Sequence, residues 1–232
     1  MRGGNTVTQN YTQVLDAAEL ESLPVFPLPR VVFFPGATLP LHLFEPRYRA
    51  MVEDCIEHGP RAMAVTMLGP GWEMDYDGRP PIHTIAGAGR IIHHQKRTNG
   101  TYDLLLQGMC RVKLEELPAD DRPYRRAKAT PLIDSHTSRL SGNDVAAMLS
   151  CVRTTVELVR RKHPAFALEL HSDATPSQVA DRVSDRLISD PSRRQELLET
   201  VDVATRVRRV TEMVGSLLAT LVENDVNIDS LH

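Results

Sequence analysis

Apolar positions along this chain follow two rhythms, and the switch between them falls near residue 134. Before it, the apolar runs are short and punctuated by proline or glycine. Residues 23 to 49, LPVFPLPRVVFFPGATLPLHLFEPRYR, hold six prolines between such runs. Proline donates no ladder hydrogen bond and pushes the preceding residue toward extended geometry, so no long helix forms before Pro46. The pattern predicts extended segments at 25–28 and 39–44, joined across a turn at Pro35-Gly36. Glu45-Pro46 then reads as a helix start, with proline where its missing N–H costs nothing.

That helix, 46 to 58, puts Tyr48, Met51, Val52, Cys55 and Ile56 on one stripe. Gly59-Pro60 stops it. Residues 61–68 (RAMAVTML) read as a buried strand, and 69–81 as a turn-rich loop carrying Trp72. A hairpin follows: a run from 82 to 96, a second from 101 to 106, and Asn99-Gly100 between them. That pair suits a two-residue turn with positive φ at both central positions. Gly87 and Gly89 inside the first run predict a bend or bulge, a device that closes small barrels. Two further strands are expected at 110–117 and 124–133.

After residue 134 the period becomes helical. Residues 144 to 162 carry Val145, Met148, Leu149, Val152, Val156 and Val159 on one face, ended by His163-Pro164. Thr175-Pro176-Ser177-Gln178 is a capping box with proline at the first helical position, opening a helix that buries Val179, Val183 and Leu187. Asp190-Pro191 opens a short helix. Asp202 caps a long one bearing Val203, Val207, Val210, Val214, Leu217 and Leu221. The expected organisation is a polar tail (1–20, with a short amphipathic turn at 14–20), a β-rich barrel with one inserted helix (21–134), and a helical bundle (135–232). The fold class is α+β.

The run at 23–49 resembles the opening of the amino-terminal domain of Lon proteases, and in particular versions of that domain that occur alone in bacteria. The similarity continues in PPIHTIAGAGRI (80–91), GTYDLLLQGMCRVKL (100–114) and RRQELLETVDVATRVRRV (193–210). It implies a barrel of PUA-like type. It also implies non-catalytic recognition of unfolded or peptide segments of other proteins, with a protease as a further partner.

Composition narrows the alternatives. A net charge of −3 lacks the basic excess of a dedicated nucleic-acid or anionic-membrane surface. The three cysteines share no metal-ligand spacing and fit apolar core positions in a reducing compartment. The first residues, MRGGNTVTQNYTQ, have no apolar stretch suited to a signal peptide, and no run approaches a membrane span, so a cytoplasmic location is expected.

Catalytic parts are missing from these residues. There is no G-x-x-x-x-G-K-[ST] phosphate cradle. None of the four lysines, at 96, 113, 128 and 162, sits in a segment resembling the Lon serine–lysine site. His93 and His94 are adjacent, so on a strand they face opposite ways and do not share one ion. No catalytic residue, metal site or cofactor is expected. The basic run RPYRRAK (122–128) interleaves arginine with Tyr124, as RNA-binding surfaces do. It follows acidic Glu115, Glu116, Asp120 and Asp121, and reads instead as a solvated edge strand. An RNA-binding barrel and a cryptic hydrolase stay as alternative functions.

For a polypeptide, the sequence offers a charged rim of Glu45, Arg47 and Arg49 at the first helix, with Phe33 and Phe34 as the apolar contact beside it. The competing reading makes both phenylalanines core and the charges merely solvated.

Overall fold

The two rhythms become a closed barrel and a set of helices. The protein's computed structural model describes residues 15–76 and 78–229, with side chains described as far as residue 223. Among the described residues, the strands are β1 (Leu23–Leu28), β2 (Thr38–Leu43), β3 (Ala62–Met67), β4 (Ile85–Lys96), β5 (Tyr102–Glu116) and β6 (Arg125–Leu132). The helices are α1 (Ala17–Glu21), α2 (Pro46–Glu57), α3 (Gly142–Lys162), α4 (Pro176–Leu187), α5 (Pro191–Glu199) and α6 (Val203–Asp229). The fold is α+β: a β-barrel with α2 inserted, then a helical bundle.

Strand order is β2-β5-β4-β3-β1-β6, and β6 pairs back onto β5. The last pairing closes a five-stranded barrel. β2 lies outside it, laid along the first half of β5 from Thr38↔Gln107 to Leu43↔Tyr102. β1 and β3 are parallel, with α2 in the connection between them; every other pairing is antiparallel.

Closure dictates what fills the barrel. A cluster of buried residues drawn from all five barrel strands holds Leu23, Val25, Val112 and Leu114 with Ala62, Ala64, Ala86, Ala88, Ala127 and Ala129. So narrow an interior leaves room for few large side chains, hence the alanines. Leu15 joins this cluster, and Glu19 of α1 makes a two-pronged pair with Arg90 of β4. Residues 15–21 are therefore packed on the barrel, not a loose polar tail; residues 1–14 lie outside the described residues.

Residues alternating with these point outward, beneath α2 and the helices. Phe26, Met63 and Val65 share one apolar cluster with Met51 and Val52 of α2. That cluster continues without a break into Met148 and Val152 of α3 and Val207 and Val210 of α6. Tyr48 is buried edge-on against Phe26, ring centroids 4.5 Å apart. Tyr48→Ala should cost roughly 3–5 kcal/mol in urea unfolding, as large aromatic truncations in cores do; a loss below about 1 kcal/mol would mean that the pocket collapses.

The expected helices and their caps are present. Ser141 and Thr175 complete capping boxes with Asp144 and Gln178, and Asp202 Oδ1 accepts from the Thr205 N–H. Asp202 is held well below the usual carboxylate range by hydrogen bonds from the Thr205 hydroxyl and the Ser138 and Thr205 amides.

Five local expectations are corrected. Residues 101–117, expected as two strands, form one fifteen-residue strand, β5, because the pairing with β4 runs on through register shifts at Ala88/Gly89 and Ile91/His93. The 96–102 connection is not a two-residue turn. Only Gly100 has positive φ, Gly100 N–H donates to Arg97 O, and Arg97 N–H to Thr101 O. Asn99 instead accepts from the Thr101 amide and hydroxyl through its side chain. Of the 122–128 run, 122–124 lie in the preceding loop and 125–128 in β6, which pairs with β1 through Arg125 to Ala127 and with β5 through Ala127 to Leu132 and is no edge strand. Leu149 is exposed, and α3 buries Met148, Val152, Thr155 and Val156. Phe33 and Phe34 are core, as the site geometry shows.

Candidate functional site

Two loops and a helix start meet at one mouth of the barrel. They are the 69–81 loop, the 117–124 loop and the first turn of α2, with Pro27 of β1 at the floor. Prolines at 80, 118 and 123 keep the loop walls extended, and Leu117 N–H donates to Arg126 O to pin the second loop at its base. The result is a groove of about 130 Å³ lined by Tyr48, Tyr76 and Tyr124 and by arginines 47, 79, 122, 125 and 126.

Each tyrosine is anchored through its hydroxyl or its burial. Tyr76 OH donates to Glu45 Oε1 at 3.1 Å, and Tyr124 OH to Asp54 Oδ2 at 2.6 Å. Burial pushes the Tyr48 phenol up to about 12. Trp72 packs edge-on to Tyr76 at 5.6 Å, so the outer loop brings a second aromatic ring to the rim.

Four of the arginines pair with three carboxylates. Arg47 Nε donates to Glu45 Oε2 at 2.9 Å while its guanidinium lies over the Tyr48 and Tyr76 rings, at 4.7 and 5.4 Å. Arg79 pairs with Glu116 at 3.2 Å. Asp120 accepts from both Arg122 and Arg126 at 2.6 Å. Arg125 differs. Its side chain is 9% exposed, Nη2 donates to the Pro80 carbonyl at 2.6 Å, and the Glu116 carboxylate stays 3.7 Å away. Its Nη1 is buried with no hydrogen-bond partner. Burial lowers the Arg125 guanidinium from its ordinary value, against the opposing pull of Glu116.

The structure does not assemble the five expected site residues into one surface. Glu45 and Arg47 stand on the groove rim. Arg49 leaves α2 on another side, its Nη2 against the β4–β5 turn, where a Cβ added at Gly100 would lie 2.5 Å from it. Two positions along a helix turn a side chain by about 200°, which is why Arg47 and Arg49 part. Phe33 and Phe34 are 2% and 0% exposed. They thread over the sheet toward α5, where Arg194 donates to Val32 O and lies 5.5 Å from the Phe34 ring. An apolar contact surface for a ligand they are not.

Sequence reasoning missed Tyr76, Arg79 and Arg125. The signal for Arg125 was the basic–aromatic run at 122–128, assigned to solvent because its partner, the Pro80 carbonyl, lies far away in the chain. His42 is exposed and hydrogen-bonds Asp103 at 2.7 Å. Among the described residues, no three His, Cys, Asp or Glu side chains gather as a metal site. No helix there is long and apolar enough to cross a membrane.

Comparison with known proteins fits this architecture. The family model for the ATP-dependent protease La (LON) substrate-binding domain matches residues 22–216. Lon protease 2 of Myxococcus xanthus is 29% identical over 198 residues, which is 83% of this chain and 23% of that protein. Lon protease of Escherichia coli K12 is 24% identical over 205 residues, 87% of this chain and 25% of that protein. The chain thus spans about a quarter of the length of the relatives it matches. In fold it is similar to a Lon N-terminal domain protein from Xanthomonas campestris (TM-score 0.59, 23% identity, 82% of this chain and 96% of that one). The N-terminal domain of the Mycobacterium avium complex Lon protease is similar as well (TM-score 0.60, 16% identity, 83% and 97%).

Proposed function

The chain belongs to the Lon substrate-binding domain family, and from that premise we propose that it captures polypeptide segments without chemically altering them, in the groove at the barrel mouth. The groove carries this reading: three tyrosines and paired arginines on proline-stiffened walls. Tyrosine and arginine dominate the energetics of protein interfaces, since they combine large contact area with hydrogen bonding at modest entropic cost. Paired charges at the rim set orientation and encounter rate more than affinity. Delivery of the captured segment to a protease, as an adaptor would perform it, is the role this binding serves. A nucleic-acid reading has less support, because four of the five groove arginines already sit on carboxylates and the chain carries net charge −3.

The test is a paired measurement on reduced, carboxymethylated α-lactalbumin as a permanently unfolded probe. Saturable binding by fluorescence anisotropy is expected, with the probe intact on a gel afterwards. Tyr76→Ala should weaken binding roughly 10-fold, the size of an interface aromatic truncation, with an unchanged melting temperature. Arg47→Glu, which sets a second carboxylate beside Glu45, should weaken it as well. Absence of saturable binding, cleavage of the probe, or full affinity in both variants would overturn the reading.

A further inference from the structure

The tip of the β4–β5 hairpin carries a chemically reactive pair. Asn99 is the one asparagine of this chain followed by glycine. With no Cβ at the next residue, the Gly100 nitrogen meets little hindrance on its way to the Asn99 side-chain amide carbon. The turn that carries the pair is type I. Gly100 N–H donates to Arg97 O at 2.9 Å, closing a four-residue turn with Asn99 in third place. Within it, only Gly100 has positive φ. A type II turn needs positive φ at the third place, and the mirror-image hairpin turns need it at the second. The third residue of a type I turn has ψ near zero. Attack by the Gly100 nitrogen on Asn99 Cγ would close a five-membered ring, which needs Cβ and that nitrogen nearly eclipsed about the Cα–C bond. At ψ near zero they stand a third of a turn apart.

We propose that Asn99 is a deamidation site kept closed by the fold, one that reacts when the hairpin tip opens. Hydrogen bonds hold it closed from both sides. The Gly100 N–H is committed to Arg97 O, so the nucleophile is neither free nor aimed. Asn99 Oδ1 accepts from the Thr101 amide at 3.1 Å and from its hydroxyl at 2.8 Å, which fixes the side chain in this turn. Arg97 N–H donates to Thr101 O at 2.8 Å and closes the strands below. In the open tip, the Gly100 nitrogen gives up its proton and bonds to Asn99 Cγ, and the Cγ–Nδ2 bond breaks as ammonia leaves with that proton. Water then opens the cyclic imide. Addition at Cγ restores the ordinary peptide bond, with aspartate at 99. Addition at the main-chain carbonyl leaves the chain running through Cβ and Cγ, as isoaspartate. The fold treats the two products differently. Aspartate keeps an oxygen for both Thr101 donors. Isoaspartate adds a main-chain atom between Arg97 and Thr101, so the pairing of Arg97 with Thr101 and of Lys96 with Tyr102 loses its register. Arg49 Nη2 of α2 lies against Gly100 and is displaced with it.

Mass spectrometry of the aged full-length protein tests this. The protein is held at body temperature and mildly alkaline pH over several weeks, with and without unfolding guanidinium chloride. Trypsin then releases residues Thr98 to Arg111, in which Asn99 is the only asparagine. Conversion raises the peptide mass by the amide-to-acid difference, and chromatography separates aspartate from isoaspartate. The unfolded protein should convert at least ~10-fold faster than the folded one. That is the rate equivalent of one hydrogen bond, and a floor here because several must break together. Thr101→Val removes the hydroxyl donor and keeps the branched shape. It should speed conversion several-fold in the folded protein and leave the unfolded rate unchanged. After refolding, the isoaspartate form should melt below wild type, and Asn99→Asp should melt with it. Equal rates in folded and unfolded protein would overturn the proposal, as would faster conversion in the folded one. No conversion in the unfolded protein would overturn the site itself. The wild-type comparison decides the matter even if Thr101→Val fails to fold.

Discussion

Asp181→Ala is expected to lower the unfolding free energy by roughly 3–5 kcal/mol, the cost of breaking a buried ion pair from one side. Asp181 lies on α4 and is almost fully buried. Both of its oxygens accept from the Arg111 guanidinium of β5, with Nη1 to Oδ2 at 2.8 Å, and Arg111 Nε donates to Leu198 O at 2.9 Å. On the other side Arg206 of α6, with no exposed surface at all, places Nε 3.3 Å from Asp181 Oδ1. Arg206 also donates to Thr200 O, Ser177 and Asp134. Burial pushes the Asp134 carboxyl up, but the Ser177 hydroxyl and Arg206 outweigh it and hold it below its usual value. Two buried guanidiniums therefore share two carboxylates, and the alanine leaves them with one. The melting temperature should fall by roughly 10 °C for a chain of this size. Asp181→Asn, which keeps the shape and loses the charge, should fall between the two. A loss under about 1 kcal/mol in the alanine variant would show that water enters and solvates Arg111.

The placement of this network explains what the sequence made legible and what it hid. The helices were readable because their causes are local. Val179, Val183 and Leu187 recur at helical spacing, and Thr175 with Gln178 closes the cap within one turn. Asp181 interrupts nothing in that pattern, so its pairing with Arg111 of β5, 70 residues away, left no mark. The same holds at the site. Arg125 sits in a run whose composition suggests solvent, and only pairing with β1 and β5 turns β6 into an interior strand. Phe33 and Phe34 looked equally suited to core or contact surface. What decides between them is the set of glycines on β4 and β5, which the phenylalanines reach only after the barrel closes.

Gly87→Ala should be among the most damaging single-methyl changes available in this chain, costing about 3 kcal/mol or more. A Cβ built there would stand 1.9 Å from the Phe33 carbonyl oxygen and 2.8 Å from its carbon. Those are backbone atoms, so no rotamer change relieves the clash. At Gly108 a Cβ would come 2.2 Å from Phe34 O, and at Gly89 it would come 2.4 Å from Gln107 O and 2.7 Å from the Phe33 ring. The three glycines form a bare track on the sheet, and the chain from Phe33 to Ala37 lies on it. Gly36 N–H donates to Gly108 O and Gly108 N–H to Ala37 O, which stitches that segment down. Overpacking a well-filled core costs about 1–3 kcal/mol when neighbours can shift; here the neighbour is a hydrogen-bonded main chain, so the upper end is the floor. Gly142→Ala supplies the control, since a Cβ at the start of α3 meets nothing within 4 Å, and it should be neutral or slightly stabilising. Urea unfolding reads both. Hydrogen exchange should show Gly87→Ala loosening residues 33–37 before the rest of the barrel. Peptide binding by the folded fraction should persist, because the groove of Tyr76, Tyr124 and Arg125 is built without Phe33 or Phe34. Wild-type stability in Gly87→Ala would mean that the segment does not lie on the sheet, and would return the two phenylalanines to the list of contact residues.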